Sequence, residues 1–525
     1  MSFSQDDVPV EQIRTSLKTV CQSKAFANSG QLCAILTYLI EETLSGRGEQ
    51  IKAYNIGVDA LGRESDFDPT TDSIVRAQIH RLRTKLRSYY AKEGKNDTVR
   101  IEIPLSRYKP KFTLQSRLQT LPREIAANAD WRPGILVKPL TNQSPENGYA
   151  HFSEGLAESL TVALGKFQNI DVISYYSTGL YNQEFLSDPH PRRHARFILD
   201  GSYQVLGRQM RVLIKLTDNK YSKILWSDSI DMELNGNDWL ALEDKILSNV
   251  LSFIVGDYGL ISQHIFHETK SNSPENLSIY EAILRYHSFT RKLDITSLNE
   301  AQTALEKCLE RHEPCPALVY AALAELYISD FKMGLDLIPN ALNKAETSIN
   351  KALELDYRSQ AAHLSMANLC FTRRNKEELD IYIDNVINLN PNNYPSVAIA
   401  LDWYARSGDL DDGCARLEAL YAKLNAVLPY HHYTPFFMKY YKEGEYERAL
   451  KYCYYPGRAT SAEMNDYYGL IVHHKMNNPA LCKNFVERIK NHSYNRKMRR
   501  VFQTLSFFDD LTDEFIEILK IYGLD

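Results

Sequence analysis

Long apolar runs are missing from this 525-residue sequence. No stretch of about 18 or more apolar residues occurs, so the sequence predicts no membrane span and no membrane partner. Residues 1–7 are polar and acidic, unlike a signal peptide, and we expect a cytoplasmic protein. The eight cysteines form no Cys-x-x-Cys pair. This predicts small buried side chains in a reducing compartment rather than a disulfide framework.

Motifs of the common enzyme classes are missing as well. The sequence has no Gly-rich phosphate loop, no nucleophile elbow, no His-Glu zinc helix and no paired carboxylates in a suitable context. His190 and His194 have a spacing that metal ligands use, but they lie in a polar, Pro-flanked loop without a nearby Cys or carboxylate. We therefore predict no enzyme activity, no cofactor and no metal site.

Charge is distributed unevenly along the chain. The whole sequence has a net charge of −5, yet residues 73–111 contain 11 basic and 3 acidic residues. Such an asymmetry predicts a basic contact surface on an otherwise acidic protein.

The clearest helix prediction covers residues 72–92, where apolar and basic residues form two separate stripes. Val75, Ile79, Leu82 and Leu86 recur at the spacing of one helix face. A second stripe lies roughly 100° away and consists of Arg76, His80, Arg83 and Arg87. The pattern favours a helix that packs along one face and presents basic groups along another, although an ordinary solvated face has the same appearance.

Two alternating segments, 99–103 and 108–112, follow this helix and predict a β-hairpin. A basic helix followed by a basic hairpin is the arrangement in which a winged helix binds DNA, with the helix in the major groove. Arginine can bind guanine or phosphate with two hydrogen bonds, and lysine supplies a point charge to phosphates. We therefore expect double-stranded DNA as the partner.

The segment SIVRAQIHRLRTKL at 73–86, with SRYKPKF at 106–112, resembles the effector domain of OmpR/PhoB-type winged-helix regulators. More narrowly, residues 10–112 resemble a bacterial group of large winged-helix regulators. The motifs that carry this resemblance are LIEETLSGR (39–47), YNIGV (54–58), LGR (61–63), FDP (67–69) and IVR (74–76). In the family a glycine usually precedes the tyrosine of the hairpin, and here that position is Arg107.

The resemblance assigns DNA-binding residues position by position. It implies that Arg76, His80, Arg83 and Arg87 face the groove. It implies phosphate contacts for Arg81, Lys85, Arg107 and Lys109. For Arg81 an ion pair with an acidic neighbour stays open.

Residues 134–260 predict a second domain after a polar linker at 113–133. Short β-branched runs flank two helical segments, at 149–167 and 238–254, and three consecutive runs between 196 and 231 predict an antiparallel meander. The segments FSEGLAESL (152–160), LDGS (199–202), RVLIKL (211–216) and ILWSD (224–228) resemble the TolB N-terminal-like domain. That resemblance implies an ancillary α/β sandwich.

Residues 275–525 are predicted to be helical throughout, with an internal repeat. ALELD at 352–356 recurs as VINLN at 386–390, an offset of 34 that is typical of tetratricopeptide repeats. We expect five or six helix pairs and an insertion near residues 331–340. Stacked pairs form a concave surface, which either binds a protein or peptide partner or packs on the rest of the molecule.

The sequence thus predicts a multidomain α+β protein, with an N-terminal winged helix-turn-helix, a middle α/β sandwich and a C-terminal all-α solenoid resembling tetratricopeptide repeats. The predicted function is a sequence-specific, DNA-binding transcriptional regulator that forms a homo-oligomer. The alternative is a protein-interaction scaffold whose winged helix contacts protein rather than DNA.

Overall fold

The computed structural model divides the chain into two compact units, residues 1–129 and 130–525. The structure describes residues 9–27, 29–64, 74–91, 93–94, 97–103, 108–114, 131–144, 150–173, 195–233, 239–256, 259–312, 315–424, 430–453, 462–492 and 498–524. The boundary between the units falls inside the predicted linker at 113–133.

The described residues of the first unit form four α-helices followed by a two-stranded sheet. The helices are α1 (Val10–Gln22), α2 (Gly30–Leu44), α3 (Ala53–Asn55, continued by a π-helical turn at Ile56–Ala60) and α4 (Ile74–Ala91). Strands β1 (Val99–Glu102) and β2 (Lys111–Leu114) pair antiparallel, with Ile101 opposite Phe112. The predicted hairpin is confirmed, and its second strand begins three residues later than expected.

One apolar core holds this unit together. Ile35, Leu36, Leu39 and Ile40 of α2 are fully buried and share a core cluster with residues of α1, α4 and β1. Because β1 contributes Val99 and Ile101 to the same cluster, the hairpin is part of this folded unit.

The second unit begins with a mixed sheet. Its strands are β3 (Gly134–Val137), β4 (Thr141–Asn142), β5 (Asp171–Ile173), β6 (Phe197–Leu206), β7 (Gln209–Asp218) and β8 (Lys223–Glu233). The order across the sheet is β5-β3-β6-β7-β8, with β4 also pairing with β6. Strands β6, β7 and β8 pair antiparallel, which confirms the predicted meander.

Three helices pack against one face of this sheet. They are α5 (Ala150–Leu164), α6 (Trp239–Ile254) and α7 (Leu260–Thr269). Alternate residues of β7, such as Val212, Ile214 and Leu216, are buried in the core that these helices share. The intervening residues of β7 face away from that core and are more exposed, as a period of two residues requires.

The remaining described residues of the second unit are mostly helical. Its helices are α8 (Ile279–Lys292), α9 (Ile295–Arg311), α10 (Ala317–Lys332), α11 (Ala341–Leu355), α12 (Gln360–Thr372), α13 (Lys376–Leu389), α14 (Tyr394–Ser407), α15 (Leu410–Tyr421), α16 (Thr434–Lys442), α17 (Tyr446–Cys453), α18 (Ala462–Lys475), α19 (Pro479–Lys490), α20 (Met498–Gln503) and α21 (Asp509–Ile521). Within the described residues they form seven successive contacting pairs, one or two more than the sequence predicted. The pairs that begin with α16, α18 and α20 do not follow one another at a constant number of residues. For this reason, comparison of the sequence with itself does not reveal all of them.

The 34-residue period is visible in the middle pairs. Helices α12 and α14 begin 34 residues apart, at Gln360 and Tyr394. The predicted insertion is the loop between α10 and α11, where the carboxylate of Asp330 accepts hydrogen bonds from the backbone N–H groups of Leu337 (3.0 Å) and Ile338 (3.1 Å). The inserted residues therefore form an anchored turn.

The sheet and the helical pairs share one hydrophobic core. Tyr280 and Leu284 of α8 and Tyr394 of α14 belong to the same buried cluster as the strands. Gln168 follows α5, and its side-chain amide donates a hydrogen bond to the carboxylate of Asp356. The same amide accepts a hydrogen bond of 3.0 Å from the hydroxyl of Ser359. Part of the surface that the helical pairs present is thus covered by the chain's own α/β region.

The structure bears on the predictions for the cysteines and for membrane-spanning helices. Six of the eight cysteines are buried, Cys21 and Cys33 are half-buried, and none of the eight forms a disulfide. None of the described helices is long and apolar enough to cross a membrane.

A buried charge cluster connects the end of β7 to α7. The fully buried carboxylate of Asp218 accepts hydrogen bonds from Arg196 (3.1 Å) and from the backbone of Lys220 (2.9 Å), and it lies 2.8 Å from the imidazole of His264. Arg196 also donates to Glu268 at 2.7 Å. Burial opposes ionisation of Asp218, but the hydrogen bonds from Arg196 and His264 outweigh it and lower the pKa of Asp218.

We expect Asp218→Asn to lower the free energy of unfolding of residues 130–525 by about 1–3 kcal/mol at pH 7, because Arg196 loses a buried charged acceptor. The pKa of Asp218 in the folded protein is lower than the ordinary value of an aspartate, 3.8. Its contribution is therefore complete above about pH 4 and is lost as the pH falls through the folded value. Urea unfolding followed by circular dichroism should show that the difference in unfolding free energy between wild type and variant narrows as the pH falls below about 4.

Glu310→Gln is the matched control, since Glu310 forms an exposed pair with Lys307. It should change the free energy of unfolding by less than about 1 kcal/mol. A difference for Asp218→Asn that stays constant between pH 7 and pH 3 would contradict the role given to this carboxylate.

Candidate nucleic-acid interface

Helix α4 buries its apolar stripe completely. Val75, Ile79, Leu82 and Leu86 are each at most 3% exposed and belong to the core of the first unit. The predicted apolar face is therefore confirmed. Its burial fixes the rotation of the helix about its own axis, because residues three and four positions apart must point into the core.

The last turn of α4 is tied to the hairpin. The hydroxyl of Tyr90 accepts a hydrogen bond from the backbone N–H of Ile101 at 2.9 Å. The hydroxyl of Tyr89 donates to Asp97 at 2.6 Å, and burial together with this hydrogen bond raises the pKa of Tyr89. A Cβ at position 94 would lie only 2.3 Å from the Tyr89 ring, so the chain requires Gly94 there.

Arg83 links α4 to the end of β1. Its side chain is half-buried, and its Nε donates a hydrogen bond to the carbonyl oxygen of Ile103 at 3.2 Å. The sequence assigned Arg83 to the groove-facing stripe. The structure shows in addition that Arg83 makes a contact inside the unit, which holds its guanidinium beside the hairpin.

Lys85 makes contacts inside the unit. Its ammonium donates to the carbonyl oxygen of Ala25 at 2.9 Å and to the hydroxyl of Ser29, in the segment between α1 and α2. It also lies 5.9 Å from the centre of the Phe26 ring. The phosphate contact expected for Lys85 stays a prediction, and the structure shows in addition that its ammonium holds the connection between α1 and α2.

Arg81 differs from the other described arginines of this unit. Its side chain is exposed, and no described acidic residue forms an ion pair with it. By contrast, Arg14 pairs with Glu41 at 2.9 Å and Arg47 pairs with Glu42 at 2.7 Å. Of the two roles that the sequence left open for Arg81, the described residues provide no partner for the internal ion pair.

The remaining predicted residues are described only in part. Lys109 is half-buried, and its aliphatic chain lies beside Gly48, where an added Cβ would be 3.0 Å from its Cδ. Arg107 lies outside the described residues, as do His190 and His194 of the discounted metal motif. At three further positions of α4 the structure describes the backbone but not the side chain. These positions are Arg76, His80 and Arg87.

Sequence reasoning missed the contacts that hold the C-terminal half of α4 against the segment between α1 and α2. Glu93 accepts hydrogen bonds from the backbone N–H groups of Lys24 and Ala25, both at 3.0 Å. Glu93 and Lys85 thus bind the same connecting segment from two directions. No periodicity signals these contacts, because the partners lie about 60 to 70 residues apart in the sequence.

Comparison with known proteins adds no family assignment. No protein-family model matches the chain, and no curated protein matches it either. The physical case for a function therefore comes from the residues and their geometry.

We expect Lys85→Met to destabilise residues 1–112, because the carbonyl of Ala25 and the hydroxyl of Ser29 lose a charged donor. The expected loss is about 1.5–3 kcal/mol in the free energy of unfolding. Arg81→Met, on the same helix, should change it by less than about 0.5 kcal/mol. Thermal unfolding of the full-length protein, followed by hydrogen exchange at α4, measures both variants. Equal stability of the two variants would show that Lys85 has no internal role.

Proposed function

We propose that this protein is a sequence-specific DNA-binding transcriptional regulator. Residues 1–112 contact double-stranded DNA through α4 and the hairpin, in the manner of a winged helix. The observation that carries the proposal is the division of α4 into a fully buried apolar face and an exposed Arg81 without an acidic partner among the described residues. This division occurs inside the segment 73–111, which has eleven basic and three acidic residues.

The basic residues of α4 have different tasks in this proposal. Arg81 binds a phosphate, and the stripe formed by Arg76, His80 and Arg87 faces the bases. Arg83 contacts DNA from a position fixed by its hydrogen bond to Ile103. Lys85 stabilises the fold.

Residues 130–525 supply regulation rather than DNA contact. Their α/β region and helical pairs share one core, so a ligand or partner bound to either part acts on a single body. The remaining charge of the chain also supports this assignment. Residues 130–525 hold 42 Lys/Arg and 51 Asp/Glu, a net charge of −9, which disfavours contact with phosphates.

We expect the full-length protein to enrich a defined sequence from a pool of random duplexes and to bind it with strong salt dependence. Each phosphate contact steepens the slope of log K against log salt by about 0.9. Arg81→Ala should therefore reduce the magnitude of this slope by about 0.9, which corresponds to one phosphate contact. It should weaken binding similarly for all sequences. Fluorescence anisotropy at several salt concentrations measures both quantities.

Arg14→Ala is the matched control, because it removes the same charge from α1 of the same unit, where Arg14 pairs with Glu41. Its salt slope should equal that of wild type. The triple variant Arg76→Ala/Arg83→Ala/Arg87→Ala should abolish binding while the circular dichroism spectrum stays unchanged. Enrichment of no sequence, or DNA binding that the triple variant retains, would favour the scaffold function.

A further inference from the structure

Strand β8 is the last strand of its sheet. It runs over eleven residues, Lys223–Glu233, and pairs with β7 on one side. No described strand pairs with its other side. A strand of this length at a sheet edge presents backbone N–H and C=O groups that a further strand can bind.

The backbone geometry identifies which groups point outward. The N–H of Ser229 donates to the neighbouring Asp228 carboxylate at 2.8 Å, so it does not belong to the ladder with β7. In an antiparallel pair, alternate residues direct both backbone groups to the partner strand and the others direct them away. Ser227 and Asp231 therefore also direct their N–H groups to the free edge. The register is regular from Trp226 to Glu233, since the single irregularity lies at Leu225.

Apolar side chains flank the beginning of the same edge. Ile224 is 55% exposed, and Phe253 of α6 is 37% exposed. Phe253 stacks on Trp226 of β8, with 6.1 Å between the ring centres. A strand added at this edge would remove these side chains from water, which stabilises the association in addition to the backbone hydrogen bonds.

The charges of β8 select the partner. The strand begins with Lys223 and ends with Glu233, both exposed, whereas the charge of Asp231 is already paired with Arg211 of β7. When two such strands pair antiparallel about a two-fold axis, the basic end of each lies near the acidic end of the other. A parallel arrangement would instead place like charges side by side, which is destabilising.

We propose that β8 pairs antiparallel with β8 of a second copy of this chain, so that the two sheets become continuous across a two-fold dimer. The dimer places two copies of the N-terminal unit in one particle. The interface itself does not depend on DNA binding, so self-association can be tested without DNA.

The direct test is sedimentation equilibrium of the full-length protein without DNA, comparing Ser227→Pro with Ser227→Ala. Proline removes an outward N–H and is tolerated on an edge strand, whereas alanine keeps the N–H. We expect a dimer for wild type and for Ser227→Ala, and an increase of at least about tenfold in the dissociation constant for Ser227→Pro. A monomeric wild type, or a dimer that Ser227→Pro does not weaken, would overturn the proposal.

A charge exchange tests the same interface without changing the backbone. Lys223→Glu makes both ends of β8 acidic and should weaken the dimer. The double variant Lys223→Glu/Glu233→Lys restores opposite charges and should restore the affinity. If Ser227→Pro fails to fold, the charge variants decide the question. An unchanged dissociation constant for Lys223→Glu overturns the proposal. A weaker dimer for Lys223→Glu whose affinity the double variant restores supports it.

Discussion

Burial of the apolar face of α4 is the constraint on which the proposed interface depends. Val75, Ile79, Leu82 and Leu86 must all enter one core, and a helix that satisfies this condition has a single possible rotation. The remaining faces then carry the basic side chains. The hairpin is held in the same core through Val99 and Ile101, so helix and hairpin form one packed element.

Within that element, equal charges have unequal roles. Lys85 and Arg81 lie on the same helix and were both predicted to bind phosphate. Lys85 donates hydrogen bonds to Ala25 and Ser29 inside the unit, while Arg81 is exposed. The difference follows from the helix rotation, because the direction of Lys85 brings its ammonium to the chain between α1 and α2.

The parts of the fold that depend on local periodicity could be predicted from the sequence. The α4 stripe, the β6-β7-β8 meander and the 34-residue spacing of α12 and α14 are examples. Features made by residues far apart in sequence could not be predicted. The cluster around Asp218 joins residues 196, 218, 264 and 268 across two strands and a helix, and Gln168 contacts Asp356 about 190 residues away. For the candidate site, the apolar periodicity predicted which face of α4 is buried, but it could not separate Lys85 from Arg81.

The measurement that tests the central claim most directly is genome-wide mapping of the tagged, full-length protein on chromosomal DNA. The account predicts discrete enriched sites that share one sequence. It also predicts that the sites disappear when Arg76, Arg83 and Arg87 are replaced by alanine and persist in Arg14→Ala. A wild-type protein that enriches no site above an untagged control, although it is folded and abundant, would contradict it.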